Sequence, residues 1–443
     1  MNDWMCVAYA LAGTLLASLL ACIPALHVYN AAALILLLVT RFEVLGLAML
    51  PPQGLAFLML GMVIGYAVAN TIPSLFLSAP DESAVWIVLP GQRYVMRGRA
   101  HEAAALTGLG SLGGLFALLA LAPWASTLLV PIRRMIQPHL HWMLGTIVAY
   151  ILLSEWPRGE GRGSTVWARL WDGWRSLIAG LATFTLSGLL GLIVAYRSLV
   201  PLPVSFQGLM PAFVGLFAVP WALTNLASRT RIPRQHICVS LDVTPGAIVQ
   251  GLGAGVLGGL FSAFFPMVSG GIGGLIAGQA IAQRDDRVFL ISQGACKTVY
   301  YVGALLFFFV PALHLTRGGM ASMLAPLYAA YTPREYWLAV AATAVCGALA
   351  YALLLGLSRA ATGLVSRTSA RWLAGGTLVI LVVLVAGLTG WRGLLIAATA
   401  TGIGLIPVLF GARRINCMGA LLLPALVNMA GLGPLIAGWL GLI

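Results

Sequence analysis

The sequence predicts an all-α, polytopic integral membrane protein, and three observations carry that expectation. The chain is 60% apolar and only 8% charged, with a mean hydropathy of +0.97, far outside the range of a soluble domain. Apolar runs of about 20 residues, long enough to cross a bilayer, recur along its whole length. Two stretches in corresponding halves are broken at proline, as Ile23-Pro24-Ala25-Leu26-His27-Val28-Tyr29-Asn30 and as Phe265-Pro266-Met267-Val268-Ser269-Gly270-Gly271.

Taken in order, the first run, Met5 to Leu26, follows Asp3 rather than a basic segment and passes directly into more apolar sequence. It reads as a retained first helix rather than a cleaved leader. Further spans begin near Gly54, Ala103, Ser176, Gly208, Ala247, Val288, Trp337, Trp372 and Gly393, and a last run starts at Met418. The total is about ten to twelve crossings. Ala31 to Val39 and Gly271 to Ala282 are too short to cross and read as half-helices or re-entrant arms. Hydrocarbon offers the backbone no hydrogen-bond partner, so such breaks are tolerated only beside protein or a water-filled cavity. A matched pair of them is the signature of a transport site.

The net charge of +13 rests on 25 basic residues, of which Lys297 is the only lysine. They are dispersed among loops, which argues against nucleic-acid binding. Clusters at Arg133-Arg134, Arg158 to Arg175, Arg229-x-Arg231-x-x-Arg234, Arg359 to Arg371 and Arg413-Arg414 flank apolar runs. By the positive-inside rule they face the cytoplasm, which places the protein in the cytoplasmic (inner) membrane with Arg197 and Arg392 on the opposite side. Leu216-Phe217-Ala218-Val219-Pro220 and Gly404-Leu405-Ile406-Pro407 precede basic clusters in the same way. The expectation is a duplication, residues 1–240 and 241–443, the two repeats forming one transporter domain, with parallel and inverted arrangements both open. The six cysteines are scattered without a Cys-x-x-Cys pair, so they read as small core residues, and no metal, disulfide or cofactor is expected.

Charge at membrane depth usually faces a cavity or a partner. Lys297 directly precedes the apolar run Val299 to Pro311 and reads either as countercharge for an anion or as a snorkelling residue. Thr298 adjoins it, and Asn70-Thr71 is its counterpart in the first half. The segment Thr71 to Glu102 is too apolar for a loop and too broken for one helix. Within it Asp81 and Glu82 are candidates for the coupling ion, Na⁺ or H⁺, with the carbonyls freed around Pro24 as the alternative, and Arg93 is a candidate for neutralising one of the acids or contacting an anion. Asp81 also suits an N-cap, and His101 and Glu102 begin the next helix. His27 and Asn30 lie in the first broken segment, where the histidine either contacts substrate or titrates, or is a buried, hydrogen-bonded structural residue. Ser269, Gly270 and Gly271 offer consecutive donors at the start of a half-helix. Asp285-Asp286, between Arg284 and Arg287, reads as a solvated turn with internal charge pairing. His139 and His141 lack same-face spacing and a third ligand.

Gly404 to Gly419, Pro73 to Arg93 and Arg97-Gly98-Arg99-Ala100-His101-Glu102-Ala103 together resemble the large permease subunit of tripartite tricarboxylate transporters, in particular its shorter, single-polypeptide, archaeal-type branch. The resemblance covers nearly the whole chain. It implies a secondary transporter with a duplicated core, working in the tripartite systems beside a small membrane subunit and a soluble binding protein. Where the family usually has glycine after the motif proline, this chain has Ala25 and Met267. Locally, Pro266-Met267-Val268-Ser269-Gly270-Gly271 is similar to a motif of bacterial polyprenyl-phosphate carriers. The expected function is therefore alternating-access transport of a small carboxylate-type anion, with a polyprenyl-phosphate translocase as the alternative. A membrane-embedded enzyme acting on a lipid phosphate is the rival from another class, and the chain shows no nucleophile with a base and no cluster of metal-binding acids for it. The bilayer is the expected surrounding, and a homodimer is kept open.

Overall fold

The computed structural model describes residues 2–24, 26–44, 50–157, 161, 163–197, 199–200, 208–228, 232–280, 285–330 and 332–443. Ala25, Arg158, Arg229, Arg231 and Arg284 lie outside them. All regular structure among the described residues is helical. The first half contains α1 (Asp3–Leu20), α2 (Val28–Val44), α3 (Pro52–Ala69), the short α4 (Thr71–Phe76), α5 (Val88–Met96), α6 (Ala100–Leu121), α7 (Ala125–Ile136), α8 (Leu140–Leu153), α9 (Val166–Tyr196), α10 (Leu209–Phe213) and α11 (Val219–Ala227). The second contains α12 (Pro245–Phe264), α13 (Gly270–Ala280), α14 (Asp286–Phe309), α15 (Gly318–Leu324), α16 (Pro333–Arg367), α17 (Ala370–Phe410), α18 (Gly419–Met429) and α19 (Gly433–Trp439).

The ends of these helices follow local chemistry. Pro52, Pro245 and Pro333 each occupy a first helical position, where a missing N–H costs nothing. Thr332 and Glu335 form a reciprocal capping box that starts α16. Both breaks predicted at proline are present: α1 stops before Pro24 and the half-helix α2 follows, and α12 stops before Pro266 and the half-helix α13 follows. Met267, directly after the second proline, has φ 61°. That is the left-handed conformation glycine tolerates best, which is the physical reason a glycine suits this position.

Among the described residues, eight helical stretches are long and apolar enough to span a membrane, or up to nine if the bent pair Arg414–Met429 and Gly433–Trp439 forms one span. One of these stretches, Ala100–Leu153, runs for 54 residues, far more than one crossing needs at about 1.5 Å per residue. Another, α17, breaks at Gly390 (φ 69°, ψ −166°). The polar residues of α14, itself 24 residues long, keep it out of that set. These three features account for the larger number of spans read from hydropathy.

The chain divides into two compact units, residues 1–135 with 225–377, and residues 136–224 with 378–443. In the first unit α1 packs along α3 and α12 along α14, while α6 lies on α14 and α16 on α3. A Cβ on Gly61 would stand 1.7 Å from the Ala10 carbonyl oxygen, and one on Gly294 would stand 2.0 Å from that of Thr107. The backbones therefore touch, as small residues allow between helices in lipid. In the second unit α9 packs against α18, with Gly191 against the Ala420 carbonyl. There Glu155 accepts the Arg413 N–H at 2.7 Å and the Asn416 amide at 3.1 Å, and Arg414 stacks 3.8 Å over the Trp221 ring.

Candidate functional site

In the first unit, a polar stripe runs along α14 at helical four-residue spacing: Gln293, Lys297, Tyr301. A second stripe, Tyr66, Asn70 and Ser74, runs from the end of α3 into α4. The two meet at Lys297, whose side chain is fully buried. Its Nζ donates to Asn70 Oδ1 and, at 2.5 Å, to Thr71 Oγ1. Because the Asn70 oxygen faces the lysine, its amide nitrogen faces the other way and donates to Asp81 Oδ2 at 2.6 Å. One amide thus bridges the lone lysine of α14 to the carboxylate of the segment before α5. Asn70 and Lys297, expected as counterparts in two halves, are direct partners.

Asp81 is saturated. Its Oδ1 accepts Ser83 N–H at 3.0 Å, Ser83 Oγ at 2.7 Å and Ala84 N–H at 2.9 Å, and its Oδ2 accepts Tyr66 OH at 2.8 Å and Tyr301 OH at 3.0 Å besides Asn70. The backbone bonds close a turn over Ser83 and Ala84; Asp81 is not the helix N-cap its place after Pro80 suggests, because α5 starts only at Val88, after Ile87. Glu82 Oε1 lies 3.3 Å from Tyr301 OH and 3.5 Å from His27 Nε2.

His27 sits at the start of α2. Its Nδ1 accepts the Tyr29 N–H at 3.2 Å and its Nε2 lies 2.9 Å from Tyr301 OH. The rings of Tyr29, Tyr66 and Tyr301 surround it at centroid distances of 4.5, 5.1 and 5.7 Å. Asn30, buried in the first turn of α2, bonds the His27 carbonyl through its backbone N–H at 3.0 Å.

Ser269, Gly270 and Gly271 open α13 on the other side of this cluster. The Ser269 carbonyl accepts Ser262 Oγ at 3.0 Å, and the Gly271 carbonyl accepts Trp86 Nε1 at 2.7 Å. A Cβ on Gly270 would meet Tyr300 at 2.8 Å and Ser83 at 3.0 Å, so the half-helix start lies directly against the Asp81 segment. Arg317, buried ahead of α15, reaches the break from behind. It donates to the Ser262 carbonyl at 2.6 Å and to that of Val268, and its guanidinium stands 5.6 Å from the Tyr300 ring centre. Those carbonyls are freed by the interruption of α12, and Arg317 satisfies them.

Other expected residues fall elsewhere. Arg93 does not pair with Asp81 or Glu82. Its exposed guanidinium binds Asp286 Oδ1 at 2.7 Å, because α5 turns that side chain toward the start of α14. Asp285 is exposed, as expected, and caps α14 through the Arg287 N–H at 2.8 Å, but the charge pairing expected within the turn is replaced by outside partners, Arg93 for Asp286 and Asp242 for Arg287. Thr298 is buried beside Lys297 on another face of α14, and its hydroxyl has no partner among the described residues. His101 and Glu102 do begin α6, but both are buried, bound to Ser358 and Arg99 respectively.

Tyr29, Tyr66, Tyr300, Tyr301 and Arg317 were not singled out from the sequence. The signal for two of them was present, since Tyr301 lies four residues from Lys297 and Tyr66 four residues from Asn70. Arg317 had no such marker. Among the described residues, His27, Asp81 and Glu82 form the one trio with ligand atoms within 4.8 Å of one another. The oxygens of Asp81 already accept from protein donors, and Nδ1 of His27 from a backbone N–H, so hydrogen bonding already occupies two of the three.

Comparison with known proteins agrees with this architecture. A curated protein of Methanocaldococcus jannaschii, described as uncharacterized protein MJ1079, is 25% identical over 428 residues, covering 95% of this chain and 98% of its own length. No solved structure matches. The model of the tripartite tricarboxylate transporter TctA family matches residues 7–419. With nearly its whole length so matched, its apolar helices and its paired broken segments, the chain belongs to the tripartite tricarboxylate transporter TctA family and is a multi-pass membrane protein of that transporter family.

Proposed function

We propose that this chain is a secondary transporter that moves a small carboxylate-type anion across the cytoplasmic membrane by alternating access. The observation that carries this reading is the contact of the only lysine with Asn70 and Thr71, deep in the first unit, on the helix that packs against the half-helix α13. A cation kept at membrane depth by neutral acceptors is costly and marks a substrate pathway. Lys297 supplies countercharge to a carboxylate, Asn70 and Thr71 exchange their bonds to lysine for bonds to substrate, and Ser269 to Gly271 add donors at the positive end of α13.

Alternating access rests on a duplication with residues 1–240 and 241–443 as its repeats. Supporting it, α1, α2, α3 and α6 correspond in order to α12, α13, α14 and α16, each series with a proline break after its first helix. The packing is reciprocal as well, α6 lying on α14 and α16 on α3.

The test is uptake of radiolabelled citrate, succinate and malate into liposomes holding the purified protein, beside Lys297→Ala. Saturable uptake that the folded variant lacks is expected. Equal uptake by Lys297→Ala would remove the lysine from the pathway, and a wild-type protein that transports none of these acids would overturn the substrate class.

A further inference from the structure

We propose that the ion moved with the substrate is a proton, that it binds at Nδ1 of His27, and that its binding releases the cap of the half-helix α2. The proposal rests on the transporter reading above and deepens it.

The geometry fixes the resting tautomer. An N–H donates to Nδ1 of His27, the Tyr29 amide at 3.2 Å, so that nitrogen carries a lone pair. The ring proton of the neutral imidazole then sits on Nε2, where it donates to Tyr301 OH at 2.9 Å. Tyr301 in turn donates to Asp81 at 3.0 Å or Glu82 at 3.3 Å. Every bond in this chain points the same way, from His27 to the carboxylates.

A proton arriving from water adds to the Nδ1 lone pair, converting imidazole to imidazolium. No other bond is made at that atom, and the Tyr29 N–H···Nδ1 hydrogen bond breaks because two N–H groups cannot share it. The new positive charge faces Glu82 at 3.5 Å. The acceptor lost is the one that capped the first turn of α2, so proton binding and rearrangement of the break are linked events. Loss of the proton to the opposite side restores the lone pair and the cap, leaving one proton carried per cycle. The side chains of His27 and Glu82 are 16% and 11% exposed, so neither is fully sealed within the protein.

The groups facing His27 come from every element around it: Glu82 and Asp81 from the segment before α5, Tyr66 from α3, Tyr301 from α14, and Tyr29 from α2 itself. Two cations stand further out: Lys297, linked through Asn70 to Asp81, and Arg317, beside the Tyr300 ring and close enough to act on Tyr29. Asp81 has little to offer a sodium ion, because its two oxygens already accept from Ser83, Ala84, Tyr66 and Asn70, with Tyr301 shared with Glu82; a sodium ion at Glu82 or at the carbonyls near Pro24 is the outcome the gradient measurement below separates.

Two measurements on the full-length protein test this. The first is nitrogen NMR of histidine-labelled protein in nanodiscs, with His27 assigned through His27→Asn. Asparagine keeps an acceptor for the Tyr29 N–H and takes no proton, so the variant preserves the cap. At alkaline pH the His27 signals should report a neutral ring protonated at Nε2, with Nδ1 gaining its proton as pH falls and no response to NaCl at fixed pH. A neutral ring protonated at Nδ1, or signals that follow NaCl instead of pH, would overturn the proposal.

The second is citrate, succinate and malate uptake into liposomes, driven by a pH gradient in sodium-free choline medium or by a sodium gradient at equal pH. Uptake that follows the pH gradient and no longer responds to it in His27→Asn is the expected result. Uptake that follows sodium alone overturns the proton while leaving the transporter intact. Absence of uptake under both gradients overturns the transporter reading for these acids, and the NMR titration then decides the proton site independently.

Discussion

At the scale of single residues, the cluster is governed by the rule that a buried polar group must find a partner. Asn70 satisfies it twice, accepting from Lys297 and donating to Asp81, so its amide orientation is dictated from both sides. Lys297 and Asp81 are chemically conspicuous in an apolar chain, and for that reason both were legible in the sequence. The tyrosines were less so, because a tyrosine in an apolar helix is commonly core, and only its four-residue offset from a charged group marks it. Met267 illustrates a residue-level departure with a local cost. Its φ of 61° carries a left-handed penalty of about 1–2 kcal/mol that glycine escapes, part of which glycine's greater unfolded-state freedom returns. Met267→Gly should stabilise the protein by about 1 kcal/mol, visible as a raised thermal midpoint in detergent. A lowered midpoint would mean that the methionine side chain contributes more packing than its backbone costs.

At the scale of elements, helices pack through bare backbone. Where a Cβ on Gly294 would meet the Thr107 carbonyl oxygen at 2.0 Å, α14 and α6 have no room to adjust without separating. Gly253, on α12, has nothing within 4 Å. Gly294→Ala should therefore cost about 1–3 kcal/mol through overpacking, whereas Gly253→Ala should be neutral or gain up to about 1 kcal/mol in helix propensity. Thermal denaturation of the two variants side by side checks this, and equal midpoints would contradict the close contact of α6 with α14. Glycine-rich composition announced tight packing in general. Which glycines touch backbone depends on how each helix is rotated, and hydropathy carries no record of that when a helix is apolar on all sides.

At the scale of the whole molecule, hydropathy placed the spans well, since length and apolarity are all that a bilayer demands of them. Arginine clusters then predict orientation. In a variant with the six native cysteines replaced, single cysteines at Arg197 and Arg392 should react with a membrane-impermeant maleimide in intact cells. Cysteines at Thr165 and Ser369 should react only after permeabilisation. Labelling of both pairs from the same side would refute the orientation drawn from charge. The division into two units, each assembled from one stretch of either half of the chain, is another matter. Basic clusters do lie near both boundaries, at Arg133-Arg134 and at Arg359 to Arg371, but like clusters recur elsewhere in the chain and do not say which spans assemble together.

The sequence by itself determined the helical class, the apolar spans, the two broken segments and the presence of a lone lysine directly before an apolar run. Each follows from the solvent: a bilayer selects apolar helices and penalises every polar group placed among them. Only the tertiary structure decided that Lys297, Asn70 and Asp81 form one bridge, that Arg93 belongs to Asp286 instead, and that His27 caps α2 while facing Tyr301 and Glu82. Those pairings join residues as far apart as positions 27 and 301. They are set by helix rotation and close approach, to which the pattern of apolar residues along a wholly apolar helix is blind.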